Sequence, residues 1–140
     1  DTIIRRDSMM STAIARRATE AVAAGYATAL ARYPQPLTAE LVDAAADEGD
    51  TVAQAIIDDA AHALGIGLTN LLHLFDPAAI VVGGGVTRSG ERWWRELRAE
   101  IERRALPFYL RDYRVVPAAL GDDAGLLGAA LQVLGEGAEA

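Results

Sequence analysis

Two glycine-rich segments in the second half of the chain have the residue types best suited to ligand chemistry. A short apolar run, 79–82, leads directly into Gly83, Gly84 and Gly85. About 35 residues later, the segment 121–125 (GDDAG) opens a second apolar run. Glycines after a strand let a ligand approach the backbone closely, and nucleotides often bind at such turns. A tight strand-to-helix connection is the alternative explanation. Together the two segments suggest half of a nucleotide-binding fold.

Two pairs of adjacent aspartates are weaker candidates for catalysis or metal binding. Asp122 and Asp123 could form such a pair, but they also stand where a helix would be capped, and we favour capping. Asp58 and Asp59 are neighbours on a predicted helix, so their side chains diverge by about 100°. We expect this second pair to lie on a solvated face.

Histidine and tryptophan are rare in the chain, with two residues of each. His62 and His73 lie eleven residues apart, which separates them by roughly 16 Å along a helix. That distance is too great for a shared metal ion, and we interpret each as a surface or a hydrogen-bonded buried side chain. Trp93 and Trp94 are adjacent, so one ring can pack inward while the other is a candidate for a dimer or interlobe contact.

These residues must be positioned by several helices and two short strands, which periodicity and capping residues predict. Helices are expected from Ser11 or Thr12 to about residue 24, from Thr38 to near Gly49, and over about 50–74, 91–105 and 124–134. Strands are expected at 79–82 and 114–117, and the first should be fully buried because its apolar residues do not alternate.

The inward faces of these helices follow from the spacing of apolar residues. The helix after Thr38 should pack through Leu41, Ala44 and Ala45. The longest helix should be buried on most sides in its second half, and it should face inward through Val52, Ile56, Ala60, Leu64, Gly67 and Leu71. In the helix over 91–105, Trp94, Leu97, Ile101 and the nearby Leu106 should face inward. Its charged residues are expected in solvent, with ion pairs Glu91–Arg95 and Glu100–Arg104.

The composition fits one domain and argues against several classes of function. The 140 residues are 51% hydrophobic, which is enough for a sizeable core. A net charge of −7 argues against a nucleic-acid-binding surface, and the lack of cysteine excludes disulfides and thiolate metal sites. No apolar stretch reaches the roughly 20 residues that cross a membrane. The chain begins at Asp1 without an initiator Met or a signal-peptide core, so we expect a fragment of a longer cytoplasmic protein.

The ordered set of motifs resembles the C-terminal part of the ROK family (repressors, open reading frames and sugar kinases). The most specific parts are the segments 70–85 (NLLHLFDPAAIVVGGG) and 120–130 (LGDDAGLLGAA). Gly49-Asp50 before a long helix and the segment 12–17 (TAIARR) also look like the family. The resemblance covers roughly 11–134, which leaves 1–10 as a poorly defined N-terminal segment and 135–140 as a C-terminal tail.

The resemblance implies an α/β fold, the C-terminal lobe of an actin-like (ribonuclease H-like) sugar kinase, with helices packed on a small sheet. In such kinases ATP, Mg²⁺ and sugar occupy a cleft between two lobes. The turn that corresponds to Gly83, Gly84 and Gly85 lies against the adenosine, and the same lobe tends to form a homodimer contact.

Other family motifs are absent from the chain. These are the Asp-x-Gly-Gly-Thr phosphate turn, the Asn-Asp pair that supplies the catalytic aspartate, the Gly-Thr-Gly phosphate loop, the Glu-x-Gly-His sugar and zinc motif, and the cysteine zinc loop. We therefore expect no catalytic residue, no metal site and no kinase activity in the chain alone.

Three functions remain open at this point. The chain could belong to a glucokinase-like sugar kinase and form the adenosine side of its site. It could be the effector and dimerisation domain of a sugar-responsive repressor, whose DNA-binding helices would precede it. It could also be a stand-alone interaction module that binds no nucleotide.

Overall fold

The computed structural model describes residues 7–83 and 89–119, with side chains from residue 10 onward. This part of the chain has an α/β fold in which helices predominate, as expected. Its elements are α1 (Asp7–Ala23), a short 3-10 helix (Ala29–Arg32), α2 (Ala39–Asp47), α3 (Thr51–Phe75), β1 (Ile80–Val82), α4 (Glu91–Arg104) and β2 (Val115–Pro117). None of these helices is long and apolar enough to cross a membrane.

Helix α1 begins earlier than its capping residues suggested and ends where expected. It starts at Asp7, so the predicted start at Ser11 or Thr12 is wrong, because both residues continue a helix that is already formed. Gly25 ends it with a φ of 80°. The N–H groups of Gly25 and Tyr26 bond back to carbonyls of the last helical turn, which is the arrangement that a left-handed glycine permits.

Helix α2 is bounded as predicted, and two of its three predicted inward residues, Leu41 and Ala45, pack against the core. The Thr38 hydroxyl accepts the N–H of Leu41, and Gly49 follows the helix with a φ of 96°. Val42, Ala45 and Ala46 are buried, whereas Ala44 is exposed. The predicted inward position of Ala44 is therefore wrong.

Helix α3 crosses the described part of the chain and carries much of its core. Its buried residues are Ala53, Ile56, Ile57, Ala61, Gly65, Leu68, Thr69 and Leu72. Of the predicted inward residues Ile56 is buried, three others are partly buried against the core (Val52, Ala60 and Leu64), and Gly67 and Leu71 are exposed. The centre of the buried face therefore lies about one residue further along the chain. Small residues on this face let neighbouring helices approach closely, which the apolar spacing did not reveal.

The second half of α3 is more exposed than its composition predicted. Ile66 and Leu71 are about two-fifths exposed, and Leu74 and Phe75 are more than 70% exposed. The expectation that this half is buried on most sides is wrong for the described residues, because the neighbouring elements cover only one side of it.

The two strands pair in parallel, with Ile80 opposite Val115 and Val82 opposite Pro117. Val82 and Val115 are buried, whereas Val81 is 64% exposed. The prediction of a fully buried first strand is therefore wrong, since the described elements cover only one face of the pair. The paired ends at Val82 and Pro117 place Gly83 at the carboxyl edge of this small sheet.

Helix α4 packs both tryptophans into the core. Trp93 and Trp94 are at most 6% exposed, and their rings meet edge to face with centroids 5.0 Å apart. Leu97 and Ile101 continue this buried face, but Leu106 is 59% exposed, against expectation. The prediction that one tryptophan serves an interface has no support here, because both rings are already covered.

Candidate functional site

Gly83 lies directly after β1, at the carboxyl end of the strand. The carbonyl of Val82 accepts the N–H of Ala118 at 2.8 Å, which holds this end of the strand against the residue after β2. A Cβ at position 83 would lie 3.7 Å from the Ala118 Cβ, an ordinary contact, and the backbone φ is not positive. Among the residues that the structure describes, the packing around position 83 therefore leaves room for alanine.

The remaining candidates of the two glycine-rich segments lie outside the described residues. These are Gly84, Gly85, Asp122 and Asp123. The predicted helix over 124–134 lies outside them as well.

The chain enters α4 through Gly90, which sequence reasoning did not single out. Gly90 is the N-cap residue and offers no side chain to the helix end. Instead, Oδ2 of Asp43 on α2 accepts the Gly90 N–H at 2.6 Å. A Cβ at position 90 would lie only 3.2 Å from the same oxygen, so glycine permits this approach. The only sequence signal was a glycine at the predicted helix start.

Asp43 is held in an unusual environment for a carboxylate. Its Oδ1 is buried and has no hydrogen-bond partner among the residues that the structure describes. Burial raises the pKa of Asp43, and the bond from the Gly90 N–H opposes the rise, while Asp47 and Glu40 add to it.

A second carboxylate fixes the first turn of α4 to α3. Arg92 donates to both oxygens of Asp58, at 2.7 and 2.6 Å. The hydrogen bond with Asp58 raises the pKa of Arg92, so the guanidinium stays charged. Asp58 is therefore an anchor between helices, and its predicted place on a solvated face is wrong. Its neighbour Asp59 is exposed as expected and pairs with Arg17 at 2.7 Å.

Further along α4, a buried glutamate packs between α3 and α4. The Glu100 side chain is 1% exposed and bonds to Arg103 and Arg104. Hydrogen bonds from these two arginines lower its pKa. A Cβ at Gly65 would lie 2.7 Å from Cγ of Glu100, so glycine makes room for it. The predicted Glu100–Arg104 pair is present, but on a buried rather than a solvated residue.

The other predicted pair on α4 has different partners. Arg98 approaches Glu91 at 3.8 Å, while Arg95 contacts Glu96 at 3.2 Å. The observed partners lie one and seven residues apart, so the i,i+4 spacing did not predict them.

Asp50 is a junction of three elements. Its Oδ1 accepts the N–H of Ala53 and caps α3, and its Oδ2 accepts from the Thr28 hydroxyl and the Ala29 N–H. Its own N–H bonds to the Ala45 carbonyl at the end of α2. Burial tends to raise the pKa of Asp50, but these bonds outweigh it and the pKa lies below its ordinary value.

The two histidines are separate, as expected. His62 lies 3.7 Å from Glu96. Nε2 of His73 accepts the N–H of Leu106 at 3.1 Å, and the ring packs against Tyr109. Within residues 7–83 and 89–119, no group of three or more His, Asp or Glu side chains could hold a metal ion.

The chain is similar in sequence to sugar kinases and to transcriptional repressors. The chain is 37% identical over 121 residues to a glucokinase of Halalkalibacterium halodurans, and the alignment covers 84% of this chain and 37% of the relative. It is 37% identical over 65 residues to the xylose repressor of Bacillus spizizenii, covering 46% of this chain and 17% of the repressor. The chain spans about a third of the length of the curated glucokinases it matches.

The fold agrees with this relationship. The structure of a ROK family glucokinase from Streptomyces griseus, in complex with glucose and AMPPNP, superposes with a TM-score of 0.70 at 32% identity. The superposition covers 85% of this chain and 40% of that one. A sequence model of the ROK family matches residues 10–136, nearly the whole chain. The chain therefore belongs to the ROK family.

Proposed function

We propose that the chain is the C-terminal part of an ATP-dependent sugar kinase of the glucokinase type. In this proposal residues 11–134 form the C-terminal lobe of an actin-like fold, flanked by the segments 1–10 and 135–140. The lobe forms the adenosine side of a cleft whose catalytic aspartate, phosphate loops and Mg²⁺ site lie in the other part of the protein. The parent enzyme would work in the cytoplasm, where ATP is available.

The observation that carries the proposal is the position of Gly83 at the carboxyl edge of a parallel strand pair. Ligands of open α/β sheets bind at this edge, where successive strand ends leave a crevice. Glycine at 83 is not needed by the packing around it, since a Cβ would meet only Ala118 at 3.7 Å. Close approach of a ligand is the reason that we propose for a residue without a side chain at this position. The proposed contact is with the adenosine, through Gly83, Gly84 and Gly85.

Similarity to known glucokinases supports the proposal of a kinase. Both curated glucokinases align over most of this chain at 36 and 37% identity. The Streptomyces griseus structure is a complex with glucose and a non-hydrolysable ATP analogue. Phosphoryl transfer needs bound metal and phosphate-positioning groups. The proposal assigns those groups to the two-thirds of the kinase that this chain does not span.

A coupled assay of glucose phosphorylation tests the proposal on two proteins. The complete gene product should consume ATP with glucose, and the 140-residue chain alone should not. Phosphorylation by the isolated chain would refute the assignment of catalysis to the other part. Failure of the complete protein to bind AMPPNP would refute the adenosine site.

A repressor is the second candidate, because the Bacillus spizizenii xylose repressor aligns with this chain. The coding sequence upstream separates the two: a basic helix-turn-helix segment favours the repressor, and kinase phosphate motifs favour the enzyme.

We also propose a homodimer contact at the exposed apolar end of α3, since both tryptophans are buried. Leu74 and Phe75 are more than 70% exposed there. Sedimentation analysis of the wild type and a Phe75→Lys variant tests it. A wild-type monomer, or a variant that still dimerises with the same affinity, would refute it.

A further inference from the structure

One side of α2 carries three acidic residues and meets the start of α4. Glu40, Asp43 and Asp47 follow one another at spacings of three and four residues, which places them on the same side of the helix. A Cβ at Gly90 would lie 3.2 Å from Oδ2 of Asp43 and 3.6 Å from Oδ2 of Asp47. Two acids of α2 therefore converge on the residue that opens α4, and Asp43 is the more buried of the two.

The carboxyl group of Asp43 is hydrogen-bonded through one oxygen only. Oδ2 accepts the Gly90 N–H at 2.6 Å. Oδ1 is buried and has no partner among residues 7–83 and 89–119. Nε1 of Trp93 is the other buried side-chain atom without a partner in these ranges, so it does not bond to Oδ1. A buried acceptor without a donor destabilises a fold, and it does so more strongly when the group is charged.

Among the described residues no cation bonds to Asp43. Arg92 is the arginine in the first turn of α4, and both of its bonds go to Asp58 on α3. Burial is the main cause that raises the pKa of Asp43, the Gly90 N–H opposes the rise, and the charges of Asp47 and Glu40 add to it. A carboxyl group that is buried among other acids and has no cation is stabilised as the neutral acid.

We infer that Asp43 binds a proton from solvent when α2 and α4 are in contact, and that this contact is therefore sensitive to pH. The neutral acid carries the proton on Oδ1 and keeps Oδ2 as the acceptor for the Gly90 N–H. When Asp43 ionises, the same contact buries a charge with one unpaired oxygen, and separation of α4 from α2 lets water reach it. The contact is strongest in the protonated state. This inference concerns the fold and does not depend on the proposed kinase activity.

The direction of the pH dependence follows from the raised pKa of Asp43. The stability that the bound proton contributes is fully present below the ordinary pKa of 3.8, and it is lost as the pH rises through the higher pKa of the folded state. Glu100, whose pKa is lowered, has the opposite dependence. The effect of Asp43 must therefore be measured against a variant that lacks this one titration.

The test compares the wild type with Asp43→Asn in the complete gene product. Asparagine keeps an acceptor oxygen for the Gly90 N–H but does not titrate. Urea denaturation at each pH gives the unfolding equilibrium constants of the two proteins. Their ratio, wild type over variant, should rise about fivefold between pH 4 and pH 7.5, as expected for one unpaired buried acceptor. In NMR spectra of the wild type, the carboxyl ¹³C resonance of Asp43 should titrate with a midpoint above 3.8. The amide resonance of Gly90 should follow this titration in the wild type and lose it in Asp43→Asn.

Asp47→Asn is the matched control, because it removes an acid one helical turn away and leaves Asp43 in place. The titration should persist in this variant and move to lower pH, since one neighbouring negative charge is gone. Its disappearance would assign the titration to Asp47 and overturn the inference. A constant ratio of equilibrium constants between the wild type and a folded Asp43→Asn would also overturn it. If Asp43→Asn does not fold, the NMR titration of the wild type decides, and a midpoint at or below 3.8 refutes the inference.

Discussion

Replacement of Gly65 by alanine should push α3 and α4 slightly apart and destabilise the fold. The added Cβ would lie 2.7 Å from Cγ and 2.8 Å from Cβ of Glu100. Carbon atoms pack at about 3.5–4.0 Å, so one helix must move by roughly 1 Å. Glu100 cannot swing aside easily, because its buried carboxylate is held by Arg103 and Arg104.

The size of the effect follows from two opposing terms. Overpacking a core costs about 1–3 kcal/mol. Alanine in a helix interior recovers about 1 kcal/mol relative to glycine. Because Glu100 is anchored, we expect a net loss of about 1–2 kcal/mol for Gly65→Ala. Gly67 is the matched control on the same helix, since a Cβ there meets no atom of the described residues within 4 Å. Gly67→Ala should gain about 0.5–1 kcal/mol.

Urea denaturation followed by tryptophan fluorescence is a suitable assay, because Trp93 and Trp94 are both buried on α4. The midpoint should fall for Gly65→Ala and rise for Gly67→Ala. In a Glu100→Ala background the Cγ contact is gone, so the alanine at 65 should be tolerated better. Equal stability of the two glycine variants would refute the steric reasoning. So would strict additivity of Gly65→Ala with Glu100→Ala, because contacting residues should be coupled.

Three further predictions follow from the other sites. Asp50→Ala should lower the free energy of unfolding by about 2–3 kcal/mol, since it removes a helix cap and two more hydrogen bonds to the same carboxylate. Urea denaturation measures this loss, and a loss no larger than that of the Asp59→Ala variant would contradict the prediction. Because the pKa of Glu100 is lowered in the folded state, its ionised carboxylate stabilises the fold above the ordinary pKa of 4.5, and this stability should be lost as the pH falls below that value. Denaturation midpoints measured across pH 3–7 should converge with those of Glu100→Gln at the acid end. A constant difference between the two proteins over this range would contradict the lowered pKa. Gly83→Ala should leave the denaturation midpoint of the complete protein unchanged but weaken AMPPNP binding in a calorimetric titration, and unchanged affinity would argue against the adenosine contact.

Local signals in the sequence predicted the boundaries of most elements. Thr38 and Asp50 cap their helices, and Gly25 and Gly49 end theirs with positive φ. Each of these features depends on a few neighbouring residues, so the sequence is sufficient to identify it. The family resemblance likewise depended on short ordered motifs, and it is confirmed.

The faces of the helices were harder to predict, because they depend on distant neighbours. On α3 the larger residue Leu71 is exposed while Gly65 is buried, because α4 places Glu100 where a side chain at 65 would stand. The contact between Asp43 and Gly90 joins residues far apart in the chain, so no local sequence pattern predicts it. Of the three predicted nucleotide-facing glycines, Gly83 alone lies among the described residues, and its contact with adenosine stays a prediction.

The junction at Asp50 also has a consequence for how the protein opens. One residue closes α2 through its N–H, begins α3 through Oδ1 and holds the 3-10 helix through Oδ2. Displacement of Asp50 therefore breaks bonds to all three segments at once. Native-state hydrogen exchange should therefore find the three segments opening as one cooperative unit rather than as separate helix ends.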